Sequence, residues 1–253
     1  MKWLWLALLW PSIAMAGPKL AIIIDDLGYH RTRGEAIASL PAAVTCAIIP
    51  QTPWGPHLAE KAAASGKEVM IHLPMATGAR RLDKGGLEET MTHSQLVRTV
   101  REAFIRIPQA RGMNNHMGSV LTAEPEPMRW LMQELSLQHY FFIDSRTTAD
   151  SVALDVARQH GLRSAGRDVF LDNKRDLVSM NRQFNQALQI ARRKGGAILI
   201  GHPYPETITY LENVLPLMQQ AGIEVVPAST LLHSPPITTA SKKGPAQAEE
   251  PDA

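Results

Sequence analysis

Two adjacent carboxylates, Asp25 and Asp26, close the apolar run Leu20-Ala21-Ile22-Ile23-Ile24, with Gly28 just beyond. Three histidines and a third acid have the same setting. His72 stands in Val69-Met70-Ile71-His72-Leu73-Pro74, His116 in Met113-Asn114-Asn115-His116, Asp144 after Phe141-Phe142-Ile143, and His202 after Ile198-Leu199-Ile200-Gly201. Carboxylates and imidazoles together do two kinds of chemistry: they hold a divalent cation and they move protons. Two histidines and one carboxylate make a site for an ion such as Zn²⁺ with a coordination position left for water, and a remaining acid and histidine can act as base and acid. Metal-assisted hydrolysis is the reaction class this set supports. Taken singly, each residue has an ordinary reading, the Asp as a helix or turn cap and the His as a hydrogen-bonded core residue. Their shared place at strand ends sets them apart from His30, His57, His93, His160 and His233, which fall in helices or loops, and from His139, at the start of a strand.

Uninterrupted runs rich in Ile, Val and Leu are the mark of parallel strands covered on both faces. In such folds ligands gather at the carboxyl ends of the strands. Strands are expected over 19–28, 43–49, 68–75, 112–119, 139–146, 197–203 and 223–226, with a short one within 163–173. Helices are expected over 32–40, 57–65, 94–107, 125–138, 151–160, 179–194 and 207–220, the last bent at Pro216. Residues 78–86 read as a mobile loop, and Trp54 lies in the proline-rich loop 50–56. Alternating strands and helices with no internal linker predict an α/β fold, a single distorted (β/α) barrel of about seven parallel strands. An open doubly wound sheet fits the same alternation, but no glycine-rich phosphate loop follows any strand.

Of the 253 residues 45% are hydrophobic, ample for a sizeable core, and the formal charge is only +2. Aromatics are 6% and no basic stripe is interleaved with them, which argues against a nucleic-acid partner. Residues 1–16 combine Met1-Lys2, an apolar stretch from Trp3 to Trp10 and the small-x-small site Ala14-Met15-Ala16, the plan of a secretory signal peptide. That stretch is well short of the ~20 residues that span a bilayer, so stable membrane insertion is not expected. The mature chain is expected to start at Gly17, to be periplasmic or secreted, to form one domain over 17–233, and to end in a disordered tail over 234–253. Cys46 is the single cysteine, has no partner for an internal disulfide, and reads as a small core residue.

The chain resembles the divergent polysaccharide deacetylase family over essentially all of 19–232. The resemblance rests on Ile24-Asp25-Asp26-Leu27-Gly28, Ile71-His72-Leu73-Pro74-Met75, Asn115-His116-Met117-Gly118-Ser119, Phe142-Ile143-Asp144-Ser145-Arg146, Phe170-Leu171-Asp172-Asn173 and Leu199-Ile200-Gly201-His202-Pro203, taken in this order. It implies a metal-dependent hydrolase that removes acetyl groups from an N-acetylated envelope carbohydrate. On these motifs Asp25 would be the general base, Asp26 and His72 metal ligands, His202 the general acid, and Asp144 a residue that orients or tunes a neighbour. The second motif of classical polysaccharide deacetylases is H-x-x-x-H, whereas the fourth residue after His72 is Ala76. His116, from the next strand, is expected to supply the missing ligand. The alternative is an envelope protein that keeps the deacetylase fold to grip a glycan or a protein without turnover.

Overall fold

A computed structural model describes residues 17–78 and 81–232. The expected signal peptide (1–16), the tail (234–253) and His233 lie outside the described residues.

The chain alternates strand and helix except where β6 runs on to β7: β1 (Lys19–Leu27), α1 (Arg31–Ala38), β2 (Thr45–Ile48), α2 (Gly55–Ala64), β3 (Glu68–Met75), α3 (His93–Arg106), β4 (Gly112–Met117), α4 (Pro125–Leu137), β5 (Phe141–Asp144), α5 (Ala153–Gln159), β6 (Ser164–Gly166), β7 (Val169–Phe170), α6 (Leu177–Lys194), β8 (Gly196–Gly201), α7 (Pro205–Val214) and β9 (Glu224–Val226). The strands form one sheet in the order β6-β5-β4-β3-β2-β1-β8-β7, with β9 also paired to β1. Each ladder is parallel. The sheet curls until its two ends, β6 and β7, are separated in the chain by Arg167 and Asp168 alone. These two residues bridge the seam: Arg167 N–H donates to the Asp144 carbonyl (3.0 Å) and Asp168 N–H to the Ile198 carbonyl (2.9 Å). The expected short strand of 163–173 is therefore two strand fragments on either side of a seam, and this is the distortion of the barrel.

Alternation along each strand sorts the core into two layers. Leu20, Ile22, Ile24, Val69, Ile71, Leu73, Met113, Phe142, Ala197 and Leu199 pack outward with the helices. Ala21, Ile23, Met70, Phe141, Ile143, Ile198 and Ile200 fill the barrel. Cys46 is fully buried in the outer layer, as its apolar surroundings predict. Helix ends follow local chemistry. Thr92 and Gln95 form a capping box on α3, and the Asp176 side chain accepts Ser179 N–H at the start of α6. At the end of the chain Pro216 does not bend a longer helix. α7 stops at Val214 and passes into a 3₁₀ turn at Leu215–Leu217, because proline has no N–H to continue the α ladder.

Candidate metal and proton-transfer site

Inward parity decides which strand-end residues meet. Asp25 continues the inward series Ala21-Ile23, His72 follows Met70, and His202 follows Ile198 and Ile200. Register then sets neighbours: Ile24 pairs Gly201, which brings Asp25 beside His202, and His72 pairs Asn114.

Asp26 is the exception to alternation, since a regular strand would turn it outward. Ile24 pairs Cys46 while Leu27 pairs Ile48, so three steps on β1 oppose two on β2. This is a bulge, and Asp26 takes φ 57°, a left-handed conformation uncommon for anything but glycine. The extra residue turns Asp26 into the barrel mouth and returns Leu27 to the outer core. Backbone strain of this kind costs on the order of 1–3 kcal/mol and persists where the surroundings impose it.

Asp26, His72 and His116 converge. Asp26 Oδ1 lies 2.8 Å from His116 Nδ1 and 3.2 Å from His72 Nε2, and those two nitrogens are 3.0 Å apart. Three donors around one ion at about 2.0–2.1 Å in tetrahedral array would be about 3.3 Å from one another, so these separations are close to those of a zinc site. Asp26 Oδ1 is buried and has no aligned hydrogen bond, although two imidazoles adjoin it. A buried carboxylate oxygen without a hydrogen bond is costly, and a cation there would satisfy it. The donor set therefore fits a divalent ion. His72 is enclosed, whereas the Asp26 and His116 side chains are 30% and 17% exposed, leaving an open side.

The remaining polar groups hold this cluster in place. Asn114 Nδ2–H donates to Asp25 Oδ1 (2.8 Å), and Asn114 Oδ1 is 2.7 Å from His72 Nδ1. Asp83, from the loop after β3, places Oδ2 3.4 Å from His116 Nε2. His202 Nδ1 is 2.8 Å from Asp172 Oδ1, while Asp172 Oδ2 accepts both His202 N–H (2.6 Å) and the Thr207 hydroxyl (2.8 Å).

These surroundings set the charge states. Burial raises the Asp25 carboxyl pKa, against the opposing pull of His72, His202 and the Asn114 amide. Burial also disfavours charge on Asp26, but the imidazoles of His116 and His72 prevail and hold its carboxyl far below the usual range. For His202, burial favours the neutral ring, yet the bond and charge of Asp172, with Asp25 and Asp26 behind it, push the pKa up to about 9.

Asp144 stands elsewhere. It shares parity with Phe142, which faces the helices, so it points away from the barrel interior that holds the others. Its oxygens accept Arg146 N–H (2.7 Å) and the Ser151 hydroxyl (2.9 Å), closing the turn ahead of α5. Among the described residues no hydrogen bond or ion pair joins it to Asp25, Asp26 or the three histidines. Arg167 does sit between the two regions: it donates through Nε to the Ser145 carbonyl (2.7 Å), lies 3.6 Å over the Phe170 ring, and feels both Asp144 and Asp25. Trp54 is partly exposed with the Arg31 guanidinium 5.2 Å above its ring.

The model of the divergent polysaccharide deacetylase family matches residues 22–232. The chain belongs to this family. An uncharacterized protein of Haemophilus influenzae is 41% identical over 220 residues, which cover 87% of this chain and 76% of that one. The fold recurs in the crystal structure of the uncharacterized protein ATU2773 from Agrobacterium tumefaciens, with a TM-score of 0.82 at 23% identity over 87% of this chain and 92% of that one. It recurs more distantly in a mutant of BA3943, described as a CE4 family pseudoenzyme with restored enzymatic activity (TM-score 0.54, 14% identity, 87% of this chain and 69% of that one). The family's deacetylase fold is thus shared over the whole described barrel, as the sequence motifs predict.

Sequence reasoning gave no role to Asn114, Asp83, Asp172 or Arg167. For Asn114 a signal existed, because it lies two residues before His116 and so shares its parity. Asp172 follows a strand of two residues, too short to show alternation.

Proposed function

We propose that the protein is a metal-dependent hydrolase of the cell envelope that removes acetyl groups from an N-acetylated carbohydrate. The observation that carries this reading is the convergence of Asp26 Oδ1, His72 Nε2 and His116 Nδ1 next to Asp25, with His202 supported by Asp172. A divalent ion held by Asp26, His72 and His116, zinc on the chemistry of the donors, would polarise the acetyl carbonyl and make its water more acidic. Asp25 is the base: as a carboxylate it takes a proton from the water that attacks the carbonyl carbon. Asn114 occupies one of its oxygens and leaves the other to work. His202 is the acid. Its Nδ1–H is committed to Asp172, so Nε2–H remains to protonate the departing amine nitrogen as the C–N bond breaks. The products are acetate and a free amino sugar.

The signal-like residues 1–16 support an envelope location. Among the described residues no helix is long and apolar enough to cross a membrane.

A second reading, a glycan- or protein-binding protein without turnover, is favoured by Ala76 standing where the second motif of classical polysaccharide deacetylases has histidine. Acetate release from N-acetylglucosamine oligomers by zinc-loaded protein separates the two. The hydrolase reading requires release that Asp25→Asn abolishes while zinc stays bound. A wild-type protein that binds oligomer and zinc but frees no acetate supports the second reading instead.

A further inference from the structure

We infer that Asn114 is a positioning residue that sets two groups at once: it fixes which nitrogen His72 presents to Asp26 and His116, and it holds Asp25 in place. The inference rests on the metal-site reading above for its purpose, but its geometry stands alone. Asn114 is fully buried, and its backbone is fastened on both sides, paired with His72 on β3 and with Ile143 on β5. The side chain therefore has little freedom beyond turning its amide. One end of that amide meets Asp25 Oδ1 at 2.8 Å and the other meets His72 Nδ1 at 2.7 Å.

The chemistry of the neighbours fixes the amide's orientation. A carboxylate only accepts, so the NH₂ group must face Asp25, and the opposite orientation would set two acceptor oxygens against each other. The amide oxygen then faces His72 Nδ1, and since that oxygen only accepts, Nδ1 must carry the hydrogen. In the neutral ring this leaves Nε2 with its lone pair, directed at Asp26 Oδ1 and His116 Nδ1. An aspartate here would lack the donor and add a like charge beside Asp25. Leucine would fill the space with neither donor nor acceptor. Second partners of this kind fix the tautomer and orientation of metal-binding histidines, and their loss costs roughly 10–100-fold in metal affinity. Asn114 differs in serving the proton-transfer group with the same amide.

The test reads tautomers and affinity, neither of which requires turnover. In ¹⁵N-histidine-labelled wild-type protein, in basic solution where the ring is neutral, His72 should show Nδ1–H both with and without Zn²⁺. Its signals are identified by their loss in His72→Gln. An Nε2–H ring in the metal-free protein overturns the inference without any Asn114 variant. Chelator competition on Asn114→Asp and Asn114→Leu should show Zn²⁺ binding weakened at least tenfold, with a shifted visible spectrum in the Co²⁺ forms. Affinities within twofold of wild type and an unchanged Co²⁺ spectrum also overturn it. If neither variant folds, the wild-type tautomer decides. Absence of deacetylation alongside an Nδ1–H ring would defeat the hydrolase reading and leave this one standing.

Discussion

At the scale of single residues, His202 and Asp172 make the most direct prediction about pH. The ring's pKa is raised from 6.5 to about 9, so His202 remains a charged donor through neutral solution and loses its proton above that range. A reaction that needs it as acid should keep its rate up to about pH 9 and decline beyond. Asp172→Asn removes a charge that, together with its hydrogen bond and with Asp25 and Asp26, outweighs burial, and the alkaline limb of kcat/KM should move toward neutrality. An alkaline limb that stays put would refute the assignment of His202. Stability should follow the same pair. A histidine whose folded pKa is raised contributes fully below its unfolded pKa of 6.5, and the contribution is lost as pH rises through about 9. The urea midpoint of the wild type should therefore fall across that window, and Asp172→Asn should flatten the fall. Asp83 makes a second case. Its carboxylate is 3.4 Å from His116 Nε2, the nitrogen that does not face the cluster, so Asp83→Ala should weaken Zn²⁺ binding roughly tenfold through loss of ring orientation. Chelator competition is the measurement, and unchanged affinity would mean that the loop carboxylate has no part in the site.

At the scale of elements, the decisive piece is the bulge at the end of β1, and Gly28 locks it. Gly28 has φ 133° and packs so closely on Thr52 that an added Cβ would collide with the Thr52 hydroxyl, which itself donates to the Ile49 carbonyl (2.6 Å). Gly28→Ala should cost about 1–3 kcal/mol from strain and overpacking. It should also weaken Zn²⁺ binding, because the displaced backbone carries Asp26. A variant that loses stability but binds Zn²⁺ as wild type would show that Asp26 is not positioned by this turn. The bulge also marks where sequence stops being informative. The runs before Asp25, His72 and His202 give both the strand and its buried character, but a run apolar on both faces does not say which parity looks inward; the packing of Ala21, Ile23, Met70, Ile198 and Ile200 does, and alternation from them sends all three side chains inward. The same rule applied to β5 sends Asp144 outward with Phe142, a distinction that strand-end position alone does not draw. No alternation rule yields the inward turn of Asp26, because it depends on an extra residue whose left-handed backbone is held by contacts with β2 and the loop beyond it. Asp172 stands in a recognisable motif, but its role as partner of His202 is hidden for another reason, since β7 has two residues and takes its place from β8 rather than from its own pattern.

At the scale of the whole molecule, the β7 side of the open seam is held through side chain as well as backbone, at Asp168. Between β6 and β7 the sheet path ends, and Asp168 binds β8 twice: its N–H donates to the Ile198 carbonyl (2.9 Å), and its Oδ2 accepts Ile198 N–H (2.9 Å). The carboxylate thus stands in for the strand carbonyl that a continuous ladder would have supplied. Its other oxygen meets Lys194 Nζ at 3.3 Å, but that lysine side chain is 66% exposed, and exposed ion pairs contribute little. The two interactions should therefore separate by substitution. Asp168→Ala leaves a partly buried N–H of β8 without an acceptor and should destabilise the protein by about 1–3 kcal/mol, whereas Lys194→Ala should cost no more than about 0.5 kcal/mol. The proposed metal ligands lie on β1, β3 and β4, away from this seam, so Zn²⁺ affinity of folded Asp168→Ala should match wild type. Urea denaturation and chelator competition on the same preparations test both halves. Equal destabilisation by the two substitutions would place the value of Asp168 in its ion pair. A parallel loss of Zn²⁺ affinity would mean that the curl of the whole sheet, and not only local geometry at the mouth, brings Asp26, His72 and His116 together.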